Sequence, residues 1–335
     1  MADEVRLSEP EVFRLAFDFL CFHGLSPDQS AAMAGLLAKA QRDGCLSHGL
    51  QRLPGTLDTM AHPAFDRRAA PVPERPAPAV VRVDAAFGFS ARAVAVGLPL
   101  LVESARQLGI SFLAVNNGFH STALWPVVEE IAGCGLAAMS MNPTHDWVAP
   151  AGGRRPVLGT NPFAFAWPRA GSEPYVFDFA TTAASRADIA LHRQAGRSVP
   201  EGWGLDRDGT PTTDPAAILA GAMLPFGGHK GSALATMIEL LAGPLIGDRT
   251  SRLSAEFGRG HDAAPCHGEL IVALDPALLA GPDGPVQAEA VFDGIAGQGA
   301  RLPGSRRHAA RRRNLRHGIP VDRALHDRIL GLMAR

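Results

Sequence analysis

Apolar residues recur at helical spacing from the start of the chain, and the first two runs each open with a capping signal. Ser8-Glu9-Pro10-Glu11 has the spacing of a capping box ahead of an apolar run from Val12 to Leu20. Ser26-Pro27-Asp28-Gln29 repeats the device, with Pro27 where a first helical residue belongs. Ala31, Leu36, Leu37 and Ala40 supply the buried face of this second helix, which stops at Asp43-Gly44. From Ala61 to Pro78 prolines recur, and the region reads as a linker or extended excursion.

Short apolar runs then take over. Val80–Val83 predicts a strand and Ala91–Leu108 a helix with a broad apolar face. Ile110–Val115 is a short buried strand, Asn116-Asn117-Gly118-Phe119-His120 a turn, Ser121–Ala132 a helix and Leu136–Met141 another strand. Phe163–Trp167 and Tyr175–Phe179 lie close together, as a hairpin or meander rather than as βαβ crossovers. Ala183–Arg193 reads as helix and Ser198–Asp214 as a long loop. Late in the chain come the strand Glu269–Leu274, a helix around Gln287–Ile295 and the amphipathic helix Val321–Met333. The pattern is α/β, yet no early strand–GxGxxG–helix unit is present, so a standard Rossmann domain is disfavoured.

The stretch from Leu224 to Gly247 holds the densest chemistry. Gly227, Gly228 and Gly231 let the chain turn tightly, and the apolar run Ala233–Leu241 predicts a helix starting near Ser232 and buried on most sides. A helix start offers free N–H groups to an anion, and His229 and Lys230 stand beside it. The alternative is a glycine-rich turn before a core helix with Lys230 solvated, and the segment fits neither GxxxxGK[ST] nor GxGxxG. Upstream, Cys45–Arg52 places Ser47, His48 and Arg52 within six positions. If that segment begins a helix, His48 and Arg52 share a face; otherwise these are ordinary polar residues of a capped surface helix.

Composition narrows the classes. At 335 residues the chain predicts one large domain or two to three intertwined ones, and no repeat is apparent. Its 46% hydrophobic and 19% charged residues are those of an ordinary globular protein. A net charge of −1 gives no reason to expect nucleic acid or an anionic membrane as partner. The basic run Arg306–Arg313 has no interleaved aromatics, which leaves a solvated helix face or a phosphate contact at its start. Cys21, Cys45, Cys134 and Cys266 lie far apart, as expected of reduced thiols, and the lone Cys21-x-His23 is too little for a metal site. No signal peptide or transmembrane-length run is visible, which predicts a cytoplasmic protein.

Taken in order, several motifs resemble the type-2 malate/L-lactate dehydrogenase family. They are Ser47-His48-Gly49 with Arg52, Leu158-Gly159-Thr160-Asn161-Pro162, Asp178-Phe179-Ala180-Thr181-Thr182, and Leu224–Leu241, joined by Gly202–Asp214 and Arg301-Leu302-Pro303-Gly304. Within the family, Asn116–Pro126 and the run Phe226 to Leu241 look most like the Δ1-piperideine-2-carboxylate/Δ1-pyrroline-2-carboxylate reductases. The resemblance implies a non-Rossmann NADP-binding fold with a mostly antiparallel central sheet. It also implies a helical domain from both chain ends (1–75 with 315–335), a cofactor and substrate region of intertwined subdomains (76–314), and a homodimer. Its activity would be NADPH-dependent reduction of a small cyclic imino acid to L-proline or L-pipecolate. A 2-hydroxyacid dehydrogenase is the alternative within the family, and a cofactor-binding sensor that has lost catalysis the alternative outside it.

Carried over by position, Ser47, His48 and Asp188 would form a proton-relay triad with His48 the acid, and Arg52 would hold the substrate carboxylate. The cofactor would lie against His120, Ser121, Thr122, Ala123 and Leu124, against Thr160, against Asp178, Phe179 and Ala180, against Arg186 and Ala187, against His229 and Lys230, and against Arg301, Gly304, Arg306 and Arg307. Two departures sit beside those contacts. Arg186-Ala187 stands where relatives show His-Gly, and Asn117-Gly118-Phe119 replaces a Ser-His pair near His120. The chemistry suits the residues: Arg is a permanently charged fork for a carboxylate, and His titrates where it can deliver a proton to an imine nitrogen.

Overall fold

The computed structural model describes residues 3–281 and 283–334. Its strands are β1 (Glu4–Leu7), β2 (Pro73–Ala77), β3 (Val80–Asp84), β4 (Ile110–Phe119), β5 (Ala137–Met141), β6 (Phe163–Trp167), β7 (Tyr175–Phe179), β8 (Gly204–Leu205), β9 (Ala222–Met223), β10 (Cys266–Leu274) and β11 (Ile319–Asp322). The helices are α1 (Glu9–Phe22), α2 (Pro27–Arg42), α3 (Leu53–Met60), α4 (Ser90–Leu108), α5 (Trp125–Gly133), α6 (Arg186–Gln194), α7 (Pro215–Ala220), α8 (His229–Ala242), α9 (Ser251–Phe257), α10 (Pro276–Ala280), α11 (Asp283–Ala296), α12 (Ser305–His317) and α13 (Arg323–Met333).

Seven strands form the central sheet in the order β2-β3-β4-β10-β5-β6-β7. Only β3 and β4 run parallel; every other neighbouring pair is antiparallel. This is a mixed α/β fold. β10, buried along almost its whole length, is the spine between β4 and β5. On one face α4 and α5 pack over a core that includes Val83, Leu113, Val128 and Ile271. A second core joins α1 and α2 to Ile319 and Val321 of β11 and Ile329 of α13, so the two chain ends share one apolar cluster. β1 pairs antiparallel with β11 and closes that end.

Several predicted elements form where local chemistry dictates them. Ser8 and Glu11 make the reciprocal capping box at the start of α1. Others shift for identifiable reasons. The region 61–78 is not a plain linker, because Pro73–Ala77 joins the sheet as an edge strand, where proline costs no ladder bond. The turn expected at 116–120 is instead the end of β4: Asn117 takes a left-handed φ of 52°, its N–H is held by Asp248 Oδ2 at 2.7 Å, and Gly118 and Phe119 pair with His267 and Cys266. α5 starts at Trp125 rather than Ser121. α8 starts at His229, three residues before Ser232, and buries one side only, leaving Leu234 and Leu240 36% and 56% exposed.

Buried charge anchors α12. Asp43, at the end of α2, accepts from Arg42 Nε at 2.6 Å and from Arg311 Nε at 3.0 Å, and Asn314 Nδ2 donates to the Arg42 carbonyl at 2.6 Å. Glu129 of α5 also pairs with Arg311 and with His308; burial pushes its carboxyl up, but the bonds from His308 and Arg311 outweigh it and hold it below the usual range.

Close packing of α4 on the sheet depends on Gly97, where an added Cβ would sit 2.6 Å from Leu113 Cδ1 and 3.1 Å from Val83 Cγ2. Both neighbours are fully buried and have nowhere to go. Gly97→Val is therefore expected to lower unfolding free energy by about 1–3 kcal/mol, seen as a lower urea midpoint at unchanged m-value. An unchanged midpoint would contradict this packing.

Candidate active site

Two consecutive 3₁₀ turns, Leu46–His48 and Leu50–Arg52, follow α2 in place of a regular helix. Gly49 between them has ψ −142°, which breaks the helical path, and a Cβ there would lie 2.4 Å from Gln41 Oε1. His48 and Arg52 are brought together by this doubled turn and not by α-helical spacing. Ser47 Oγ lies 3.1 Å from His48 Nδ1, and Arg52 Nε donates to the Ser47 carbonyl at 2.8 Å. Ser47 and Arg52 are exposed and His48 is half-buried. Desolvation, with Arg52 and His120 nearby, pulls the His48 imidazole down to about 4.

His120 lies at the end of β4. Its Nε2 is 3.0 Å from the Thr122 carbonyl, and its Nδ1 is 3.0 Å from Ser90 Oγ. Ser121 Oγ is buried with no protein partner. Asp178, at the end of β7, accepts from the N–H groups of Leu124 and Trp125, each at 3.0 Å. That carboxylate is what starts α5 at Trp125 and holds Thr122–Leu124 out of the helix. Burial pushes the Asp178 carboxyl up, against those two N–H bonds, Arg307 and His120. Arg307 packs 4.9 Å over the Trp125 ring and donates to the Val176 carbonyl at 3.1 Å. Burial also raises the Cys45 thiol, which feels the charges of Arg307, Asp178 and Arg306 from its place in the turn before His48. The Ser47–His48 turn, His120–Leu124, Asp178 and the start of α12 therefore meet in one place.

The chain beyond β7 links this group to a second one. Phe179 stacks on Phe177 at 4.9 Å and meets Phe226 edge-on at 6.0 Å, and Thr181 bonds the Thr160 carbonyl through its N–H at 2.9 Å. Half-buried Ala180 lies between them. Gly231 permits the tight approach of this loop to α8, since a Cβ there would fall 2.2 Å from the Phe226 carbonyl oxygen. His229 and Lys230 are exposed in the first turn of α8. Gly304, at φ 86°, caps α12, with Arg301 and Arg306 exposed on either side.

Arg186 and Asp188 lie apart from His48 in the contacts they make. Arg186 sits 4.7 Å over the Trp147 ring and points its guanidinium at the Leu219 carbonyl, 3.4 Å away; Ala187 is exposed. The Asp188 carboxylate accepts from Ser185 Oγ at 2.7 Å while the Asp188 N–H bonds the same oxygen at 3.0 Å. Ser185 thus caps α6, and within one chain the Asp188 carboxylate bonds that hydroxyl and makes no bond to His48.

Some participants carried no recognisable motif. Buried Glu239 of α8 accepts from the Gly159 N–H, Asn161 Nδ2 and the Ser251 N–H at 3.1, 2.9 and 2.8 Å, fixing the Thr160 loop. Glu269, in the interior of β10, lies 3.4 Å from His120 Nδ1. The available signal was an acidic residue inside an otherwise apolar run. In a fully buried strand such a residue needs a partner.

With this geometry in hand, comparison identifies the class. The chain belongs to the malate/L-lactate dehydrogenase family, which it matches over residues 7–330. It is 52% identical over 336 residues to the Delta(1)-pyrroline-2-carboxylate reductase of Pseudomonas fluorescens, covering 99% of this chain and all of that one. It is 48% identical to the Delta(1)-pyrroline-2-carboxylate/Delta(1)-piperideine-2-carboxylate reductase of Pseudomonas aeruginosa, covering 98% and 99% of the two chains. The crystal structure of delta1-piperideine-2-carboxylate reductase from Pseudomonas syringae superposes with a TM-score of 0.94 at 43% identity, covering 98% and 99%.

The depressed imidazoles carry a stability consequence. His48 and His145 each titrate at about 4, both mainly through burial, against the ordinary 6.5. The unfolded chain therefore binds more protons between these values, so stability is full above pH 6.5 and is lost as pH falls towards 4. His48→Asn and His145→Asn are each expected to flatten that slope by up to about one proton's worth, measured by urea unfolding at pH 4.5 and 6.5. An unchanged slope in both variants would contradict the burial argument.

Proposed function

We propose that this protein reduces a cyclic imino acid, Δ1-pyrroline-2-carboxylate and/or Δ1-piperideine-2-carboxylate, to L-proline or L-pipecolate, with NADPH as reductant. The observation that carries the reading is the doubled turn that presents Ser47, His48 and Arg52 together, in a chain similar over its full length to reductases of such imines. Bound NADPH supplies a hydride to the imine carbon.

The residues present suit an anionic dinucleotide. Buried and unpartnered Ser121 Oγ, Trp125 Nε1 and Arg307 Nε surround the start of α5. The glycine-capped start of α12 offers free N–H groups, whereas in the first turn of α8 the N–H groups of Lys230, Gly231 and Ser232 already bond the Gly227, Phe226 and Gly228 carbonyls, so that turn offers the exposed side chains of His229 and Lys230. We assign the cofactor to His120–Leu124, Thr160, Asp178–Ala180, Arg186-Ala187, His229, Lys230, Arg301, Gly304, Arg306 and Arg307. It is held by a mostly antiparallel sheet in place of a Rossmann unit. Arg307 is already engaged with Trp125 and Val176, which leaves exposed Arg306 as the principal partner for a 2′-phosphate.

Arg52 receives the substrate carboxylate with the guanidinium nitrogens not used on Ser47. That carboxylate offsets the Arg52 charge, which adds to burial in depressing His48, so substrate binding itself favours the protonated imidazole. His48 then donates its proton to the imine nitrogen, and Ser47 holds Nδ1 in line. Asp188 completes the relay in the assembled homodimer, a state supported by the exposed Leu240 and Leu245 on and just beyond α8. Four free cysteines suit a reducing cytoplasm.

The test is NADPH oxidation with Δ1-pyrroline-2-carboxylate, with pyruvate in parallel. Fast turnover on the imine alone is expected. Turnover on pyruvate alone would move the chain to the hydroxyacid dehydrogenases, with the same residues in the same roles. Arg306→Ala should raise KM for NADPH by roughly tenfold and leave KM for NADH unchanged; equal KM values for the two cofactors in the unmutated protein would contradict the 2′-phosphate assignment.

A further inference from the structure

A cavity of about 200 Å³ lies where the turn joining β6 to β7 meets the start of α12. Tyr175, Leu302 and Pro303 give it apolar walls, and Glu173, Ser305 and Arg312 give it polar ones. The Tyr175 ring is stacked on the Phe292 ring of α11 at 5.2 Å. Arg169, itself held by Glu289 at 2.6 Å, lies 4.7 Å over the same Phe292 ring, so this wall is fixed. The volume is below the roughly 300–1,000 Å³ of pockets that take up a whole ligand, and suits one ring system of a larger molecule.

The polar groups select a neutral ring over an anion. Glu173 stands 3.9 Å from Arg312 and 3.8 Å from Arg311, beyond hydrogen-bond distance of either. The side chains of Glu173 and Arg312 are 42% and 60% exposed, so each can turn to a third group, and the carboxylate repels a phosphate. Ser305 Oγ donates its proton to the Leu302 carbonyl at 2.6 Å, which leaves its lone pairs to accept. A flat heterocycle that donates from an amino group and accepts at ring nitrogens matches this set. Adenine has that pattern.

The cavity also lies where one end of an extended dinucleotide would fall. Tyr175 and Asp178 stand about 10 Å apart along β7. Val176, between them, ties in the start of α12: its carbonyl accepts from Arg307 Nη2 at 3.1 Å, and a Cβ on Gly304 would lie 3.0 Å from the same oxygen. The free N–H groups of α12 thus stand between the cavity and the Asp178 group, and Arg306 follows Ser305 directly. We propose that this cavity is the purine subsite of the cofactor site: the adenine of NADPH rests against Tyr175, Leu302 and Pro303, Glu173 and Ser305 accept from its amino group, and Arg312 donates to a ring nitrogen. The assignment rests on the reading that NADPH is the reductant. It brings the 2′-phosphate beside Arg306, the partner assigned to it above from exposure alone.

Two binding measurements test it without reference to turnover. Leu302→Trp fills the cavity, and should raise Kd for adenosine monophosphate, NADPH and NADH alike by about tenfold or more. Reduced nicotinamide mononucleotide, which lacks the adenylate half, should bind this variant as it binds the unmutated protein. Unchanged affinity for the adenine nucleotides overturns the proposal, and so does an equal loss for the mononucleotide. The second measurement needs no variant to fold. An azidoadenosine monophosphate photoprobe on the unmutated protein should label the segments around Glu173–Tyr175 and Leu302–Arg312, and NADPH should suppress that label. NADPH binding with the label elsewhere overturns the subsite alone. A protein labelled at the cavity that reduces no imine would instead remove the substrate reading and leave the subsite standing.

Discussion

One buried amide holds the candidate active site in register with both chain ends. Gln41, in the last turn of α2, is 2% exposed; its Nε2 donates to the Pro320 carbonyl of β11 at 2.8 Å and its Oε1 accepts from the Leu50 N–H at 3.1 Å. The same side chain leaves no room for a Cβ at position 49. The backbone must break its helical course there, and the break presents Ser47, His48 and Arg52 side by side. Because β11 pairs with β1 and α12 is bound to Asp43 at the end of α2, the turn, the start of α12 and the closing strand form one mechanical unit. A shift in any of them would move His48 relative to Arg307 and Asp178.

Within that unit, burial and charge act together on His48. Burial, with Arg52 and His120 nearby, pulls the imidazole of half-buried His48 down to about 4. In the proposed reaction Arg52 would be both the clamp for the substrate carboxylate and a charge that holds His48 down, which would couple binding and protonation through one guanidinium. Asp178 plays a different part. Its carboxylate organises the N–H groups of Leu124 and Trp125 at the start of α5, beside a bent 120–124 segment in which Ser121 Oγ is buried and unpartnered.

Local signals were readable in the sequence. The capping box at Ser8 and Glu11, the proline-led start of α2, and the adjacent strands ending at Trp167 and Phe179 all follow from chemistry within a few residues. What depends on distant partners was hidden. Asn116-Asn117-Gly118 has turn composition, yet it ends a strand because Asp248 and β10 supply its bonds. The 3₁₀ geometry around Gly49 depends on a glutamine held by a carbonyl near the other chain end. For the site, the clustering of Ser47, His48 and Arg52 was legible through motif order, and Asp178 does meet the Leu124 and Trp125 N–H groups beside it. The place of Glu269 beside His120 and Ser140 was not legible, since it depends on which strands neighbour β10. Asp188 marks the reverse case: motif order pointed to a relay, and within the single chain its carboxylate bonds the hydroxyl of Ser185, the cap of α6.

The central claim is that His48 delivers the proton that accompanies hydride transfer. The most direct measurement is the kinetics of His48→Ala with Δ1-pyrroline-2-carboxylate, alongside the affinity of the same variant for NADPH. Turnover should fall by about 10²–10⁴-fold while NADPH affinity stays close to that of the unmutated protein. Turnover that survives the substitution would take His48 out of the mechanism, and with it the reason for the turn that presents it.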